Sequence, residues 1–212
     1  MNTLPEETSP PWCLRLVSEL TAADERATAV AKELTPHQLN WKPRPDQWSV
    51  GQCLEHLFVA NEVYLRALAN SLMGRSHGIV QDTAPGWFGR WFIRHYIDPA
   101  SGTSRARAPK KITPAAHVDV SILDRFLNSN REVRELVYRA RNYDVNRIRF
   151  KNPFIPILRF TVGTGFEILA THQRRHLLQA EKVRQSLAFP QPHDSGVETA
   201  SKNAPALAAN TE

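Results

Sequence analysis

Two histidines, His172 and His176, stand four residues apart in a segment with helical apolar spacing. Residues four apart in a helix share one face and lie about one turn from each other. That face also carries apolar residues before and after the pair: Ile168, Leu169, Ala180 and Val183. Imidazole nitrogens on adjacent turns can chelate one metal ion at about 2.0–2.1 Å. On its own, an H-x-x-x-H pair is weak evidence, because hydrogen-bonded core histidines can produce the same spacing.

A third histidine, His56, lies on the apolar face of another predicted helix. Its neighbours on that face are Cys53, Val59, Ala60 and Val63. One buried histidine is more often a structural hydrogen-bonding group than a ligand. Three inward histidines on two facing helices are better explained by a metal ion, because bundle cores build metal sites in this way. The sequence therefore predicts a site that contains His56, His172 and His176.

The elements that must position these histidines are long helices. Apolar residues at steps of three and four predict helices over about residues 12–34, 49–73, 118–142 and 161–187. Ser49 with Gln52, and Thr35 with Gln38, have the spacing of capping boxes. A short helix is expected over 88–96, and no sheet is expected in the core. The fold class is therefore all-α, as a four-helix bundle over 12–188, with a flexible N-terminus (1–11) and a disordered tail (189–212).

Composition narrows the function classes. The chain is 42% hydrophobic and 23% charged, as globular domains are, and its net charge is +6. A long basic excursion, residues 74–117, separates the second and third predicted helices. A solvated surface explains this charge better than nucleic-acid binding, because no nucleic-acid motif accompanies it.

No apolar run is long enough for a membrane helix, and no secretory signal is evident, so we expect a cytoplasmic protein with no membrane partner. Cys13 and Cys53 are expected to be thiols.

Several other side chains have more than one possible role. The aromatic residues of the excursion alternate with arginines, which suits a lid over the site, a dimer contact or a membrane-surface patch. The lid is slightly preferred. Glu55 and Glu62 flank His56 and could accept its second ring proton or serve as a base, although solvated helix surface is the simpler interpretation. Trp41 and Trp48 are expected to pin the connector between the first two helices. The aromatic residues and arginines of the excursion are Trp87, Phe88, Arg90, Trp91, Phe92 and Arg94.

Two segments carry a resemblance to a known family. The stretch LTPHQLNWKPRPDQWSVGQCLEHL resembles the start of the DinB-like superfamily, in which a tryptophan-proline connector precedes a W-S pair and the helix with the first histidine. The stretch ATHQRRHLLQAEKVR resembles the closing helix of that family. The resemblance implies an antiparallel four-helix bundle and a divalent metal, zinc or nickel, held by His56, His172 and His176. It also implies that Arg175 and Gln179 act as outer partners of the site.

The resemblance further suggests a reaction. Some members of the family transfer small thiols such as bacillithiol or mycothiol onto electrophiles. Three histidine ligands leave a coordination position open, as catalytic zinc sites do. We therefore expect a metal-dependent thiol S-transferase or a related enzyme such as a hydrolase. Its substrates would be a small thiol and an electrophile. A homodimer is possible. No further catalytic residue is assigned.

Two alternatives remain at this stage. The protein could be a non-catalytic metal-bound bundle that serves as a ligand-binding or interaction module. Cys53, one turn before His56, could also close the site as a fourth ligand, but a small buried thiol is the more common finding.

Overall fold

The computed structural model describes residues 9–98 and 112–191, which are mostly helical. The prediction of a mostly helical chain is confirmed. The helices are α1 (Pro11–Ala31), α2 (Pro36–Asn40), α3 (Val50–Leu72), α4 (Trp87–Phe92), α5 (Ile122–Ala140) and α6 (Val162–Arg184), and the strands are β1 (Arg149–Lys151) and β2 (Arg159–Thr161). A π-helical turn, Ile93–Ile97, continues directly from α4.

The beginnings of three helices are fixed by their capping residues. Thr35 and Ser49 both form complete capping boxes, with Gln38 and Gln52 as their partners. The Thr161 hydroxyl accepts a hydrogen bond from the backbone N–H of Thr164 at the start of α6. Each cap satisfies backbone donors that the first turn of a helix leaves without a partner. These local signals explain why the predicted starts of α2, α3 and α6 agree with the structure.

The four long helices pack together and bury two apolar clusters, each of which has residues from all four helices. Helix α3 packs against α5 and α6, and α1 packs against the same two helices. The predicted apolar stripe of α1 is buried, with Leu16, Leu20 and Ala27 almost inaccessible to solvent. Trp12 stacks on Phe166 of α6 with ring centroids 6.2 Å apart. None of the described helices is both long and apolar enough to cross a membrane.

A short β-hairpin precedes α6, a feature that the sequence did not predict. Strands β1 and β2 pair antiparallel, with Phe150 opposite Phe160, and both rings point into the core. Gly165 of α6 makes room for this hairpin, because a Cβ there would lie 2.8 Å from atoms of both Phe150 and Leu68. Each strand has only three residues, which is too short for a reliable alternating pattern.

The excursion between α3 and α5 is partly described. It contains α4, close to the predicted short helix, and Phe88 and Phe92 of α4 pack on Phe160 of the hairpin. Four basic residues of the excursion lie outside the part of the chain that the structure describes: Arg105, Arg107, Lys110 and Lys111.

The predicted termini fall largely outside the described part of the chain, which omits residues 1–8 and 192–212. At the predicted start of the tail, Phe189 is buried, and its ring lies 5.4 Å from that of Trp41. The side-chain amide of Gln38 donates a hydrogen bond to the carbonyl of Pro190 at 2.9 Å. The chain is therefore anchored to the helical core at least as far as Pro190.

Candidate metal centre

Helices α3 and α6 bring the three predicted histidines together. The Nε2 atoms of His56 and His172 lie 2.9 Å apart. The His176 ring lies 4.5 Å from the His56 ring and 4.6 Å from the His172 ring, measured between centroids. One nitrogen from each histidine lies within 4.8 Å of the other two. No aspartate, glutamate or cysteine joins this group anywhere in residues 9–98 and 112–191.

Hydrogen bonds orient two of the three imidazoles. The Nδ1 atom of His56 lies 2.7 Å from the carbonyl oxygen of Ile112, and Nδ1 of His176 lies 3.1 Å from Oε1 of Gln179. Both partners are acceptors, so Nδ1 carries the proton in each ring. The Nε2 atom of each ring is then unprotonated, and that of His56 faces Nε2 of His172. Metal-bound histidines characteristically have such a partner on the second ring nitrogen.

The environment keeps the three rings neutral. His56 is 2% exposed, and burial lowers its pKa, an effect that the hydrogen bond to Ile112 partly opposes. Burial also lowers the pKa of His172 and of His176 well below the ordinary value, and the neighbouring histidines and Arg175 add to this shift. A neutral imidazole is the form that binds metals, so no proton has to be displaced from these ligand nitrogens at neutral pH.

The donor set fits a borderline divalent ion. Two nitrogens bound to one ion at about 2.0–2.1 Å lie about 2.9–3.4 Å apart for bond angles between a right angle and a tetrahedral one. The observed 2.9 Å between His56 and His172 falls in this range. The largest separation in the group is at most 4.8 Å. Three imidazoles suit zinc, nickel or copper better than calcium or magnesium.

Residues outside the helices complete the wall of the site. Ile112 is held near His56 because Gln52 Nε2 donates to the carbonyl of Ala115 at 2.7 Å and Glu55 accepts from its N–H at 2.6 Å. Glu55 therefore binds the backbone of the excursion near its end, whereas the second ring proton of His56 goes to a main-chain carbonyl. Glu62 pairs with Arg66 at the helix surface. No sequence pattern points to Ile112, because any residue supplies a backbone carbonyl.

Trp48 borders the site more closely than the sequence suggested. Its ring lies 4.8 Å from that of His56 and 5.6 Å from that of His176. It also packs against the core around α3, as expected for a residue that pins the connector. The same side chain therefore anchors the connector and covers two of the imidazoles.

The two outer partners that the resemblance implied have different contacts. Gln179 orients His176, as described above. Arg175 donates to the carbonyl of Tyr96 at 2.9 Å and so ties α6 to the π-helical turn. Burial lowers the pKa of Arg175. Its hydrogen bond to Tyr96 makes Arg175 a link between the site and the excursion.

Cys53 is buried away from the group. Its side chain is inaccessible to solvent, and it does not belong to the cluster of candidate ligand atoms. Burial raises the pKa of its thiol, which opposes formation of the thiolate that binds metals. These observations favour the reading of Cys53 as a small core residue.

A buried polar network lies beside the histidines. The side-chain amide of Gln173 donates to Asn61 at 3.1 Å and to Asn130 at 2.8 Å, and Asn61 donates to Ser129 at 3.1 Å. These contacts join α3, α5 and α6. Because a buried amide that loses its partner costs the fold stability, these hydrogen bonds favour one arrangement of α3, α5 and α6 next to the histidines.

Comparison with known proteins agrees with this architecture. The sequence model of the DinB superfamily matches residues 19–180, which contain all three histidines. No curated protein sequence and no solved structure matches the chain. Since the family match covers most of the chain, the protein belongs to the DinB superfamily.

Proposed function

We propose that the protein binds one divalent metal ion, zinc or nickel, through His56, His172 and His176 and uses it as a metal-dependent enzyme. The observation that carries the proposal is the convergence of three imidazoles, two of which have Nδ1 beside an acceptor. The four long helices would form the antiparallel bundle typical of the family. The cytoplasm is the proposed compartment, where Cys13 and Cys53 would remain the free thiols observed.

The proposed reaction is transfer of a small thiol to an electrophile. When bound, a divalent metal lowers the pKa of a water or thiol that it holds. Three protein ligands leave room for such a group, whereas structural zinc sites have four. In the overall reaction a carbon–sulfur bond forms, the bond from carbon to the leaving group breaks, and the thiol proton passes to solvent. The chain contributes three oriented imidazoles and the apolar cover of Trp48.

A non-catalytic role is the second candidate. It is favoured by the position of Trp48, whose ring packs against two of the histidines and limits access from that side. In this case the metal would hold α3 and α6 together for ligand or protein binding.

Metal titration of chelator-treated protein tests the proposal. We expect one zinc or nickel ion per chain by calorimetry and elemental analysis. His56→Ala, His172→Ala and His176→Ala should each weaken binding by at least about 100-fold, because two imidazoles remain. His37→Ala, at an exposed position on α2, is the matched control and should bind normally.

An activity assay separates the two candidates. The metal-loaded protein is incubated with a small thiol and an aryl halide, and thioether formation is followed. Product that requires both the metal and His56 supports the transferase. Stoichiometric metal without any product across a panel of thiols favours the non-catalytic role, and the absence of metal binding refutes both.

A further inference from the structure

The positive charge of the chain is concentrated in two segments that are neighbours in space. Residues 84–98 and 145–162 together contain six Lys or Arg residues and one acid, Asp98, whereas the rest of the chain is nearly balanced. Of these cations, Arg147 pairs with Asp144 at 3.6 Å. The other five are exposed: Arg90, Arg94, Arg149, Lys151 and Arg159.

Helix α4 turns aromatic and basic side chains outward together. Trp87, Arg90 and Trp91 follow the i, i+3, i+4 spacing of α4, and with Arg94 in the π-helical turn that follows they form one exposed stripe. Trp87 is 74% exposed, although its burial would remove a large apolar area from water. The opposite face of α4 is occupied by packing of Phe88 and Phe92 on the hairpin.

The hairpin beside α4 has the same combination. Phe150 and Phe160 point inward, so Arg149, Lys151 and Arg159 lie on its outer face. The loop between the strands exposes two aliphatic side chains, Ile155 and Ile157, and Ile157 is 87% exposed. The side-chain oxygen of Asn152 accepts hydrogen bonds from the N–H groups of Phe154 and Ile155, each at 2.9 Å, and so holds this loop in shape. Together, the stripe of α4 and the exposed hairpin residues are called the aromatic-basic surface.

The chemistry of this surface selects among partners. A second copy of the chain would place like charges opposite each other, which opposes association through the same face. Nucleic acid could use the arginines and tryptophans, but exposed aliphatic side chains such as Ile155 and Ile157 do not stack on bases as aromatic rings do. An anionic lipid surface accommodates all three groups, since cations bind headgroups, tryptophan favours the interface and aliphatic chains enter the acyl region.

We propose that the aromatic-basic surface binds the protein peripherally to membranes that contain anionic lipids. Trp87, Trp91 and Ile157 insert at the headgroup boundary, and the five exposed cations contact lipid phosphates. This revises the expectation from sequence of no membrane partner. None of the residues proposed to contact lipid belongs to the histidine cluster on α3 and α6.

Vesicle sedimentation tests the proposal with the full chain. We expect binding to vesicles of phosphatidylcholine with about one third phosphatidylglycerol, and weak binding to phosphatidylcholine alone or at high salt. Arg90→Ala with Arg94→Ala should weaken binding by about 25-fold, since each basic residue near such a surface contributes about fivefold. Trp87→Ala with Trp91→Ala, and Ile155→Ser with Ile157→Ser, should each weaken it by at least tenfold.

Matched controls lie elsewhere on the molecule. Arg44→Ala with Arg66→Ala removes two other exposed arginines, and Leu187→Ala removes an exposed apolar side chain beyond the far end of α6. These variants should bind vesicles nearly as the unchanged protein does, and circular dichroism should show that every variant is folded. Absence of binding to anionic vesicles, or equal losses in the controls, would overturn the proposal. Salt-dependent binding to oligonucleotides without vesicle binding would also overturn it and assign the surface to nucleic acid.

Discussion

Acidification of the metal-free protein should destabilise it through the clustered histidines. The pKa of His172 and of His176 is lowered well below the ordinary value of 6.5, first by burial and then by neighbouring positive charge. The unfolded chain therefore binds more protons than the folded chain when the pH falls below about 6.5. The free energy of unfolding of the metal-free protein therefore falls as the pH falls.

The size of the effect follows from the number of rings. A histidine that stays neutral in the folded state and titrates normally when unfolded lowers the free energy of unfolding by about 1.9 kcal/mol between pH 7 and 5. His172 and His176 together give an upper limit of about 4 kcal/mol. This is a large part of the 5–15 kcal/mol that typically stabilises a domain.

Urea unfolding with a chelator present, followed by circular dichroism at several pH values, measures this loss. The variant His176→Gln keeps a polar side chain but cannot titrate, so its loss between pH 7 and 5 should be smaller by up to about 1.9 kcal/mol. His37→Gln, at an exposed position, provides the comparison for a general effect of removing a histidine. An identical pH dependence in the unchanged protein and in His176→Gln would refute the reasoning.

Four further predictions concern three individual residues and the C-terminal segment. Gln179→Ala should weaken metal binding about tenfold in a calorimetric titration, because His176 loses the acceptor for Nδ1, while Arg174→Ala on the exposed face should not. Cys53→Ser should retain one metal ion per chain by elemental analysis; loss of the ion would favour a closed, structural site. Gly165→Ala should lower the free energy of unfolding by about 1–3 kcal/mol, because its Cβ would meet Phe150 and Leu68 at 2.8 Å. Removal of residues 192–212 should leave the melting temperature nearly unchanged, whereas a cut before Phe189 should lower it through loss of the contacts with Trp41 and Gln38.

Local patterns were sufficient for most of the helical architecture. The apolar stripes of α1 and α6 and the capping boxes at Thr35 and Ser49 depend on residues within a few positions of each other, so they can be read along the chain. The ends of the helices were less well predicted: α5 begins at Ile122, about a turn later than expected, and α6 ends at Arg184. No single residue there forces the helix to start or stop.

The sequence and the tertiary structure each account for part of the histidine cluster. Helical periodicity placed His172 and His176 on one face and His56 on the inward face of another helix, and the resemblance supplied a reason for those faces to meet. The distance of 2.9 Å between His56 and His172 required the packing of α3 on α6 and the buried contacts of Gln173 with Asn61 and Asn130. Such contacts join residues that are far apart in sequence, and no sequence pattern predicts which residues a buried amide side chain will contact.

Tertiary structure alone decided what surrounds the histidines and what the excursion presents. The carbonyl of Ile112 reaches His56 across 56 positions of sequence, and Trp48 covers two imidazoles from the connector. The hairpin exists because Phe150 and Phe160 find a place beside Gly165 and α4, although its strands are too short to be recognised by pattern. Side-chain type and spacing determine which face of a helix is buried, whereas only the packed chain determines which backbone groups and rings meet at a site.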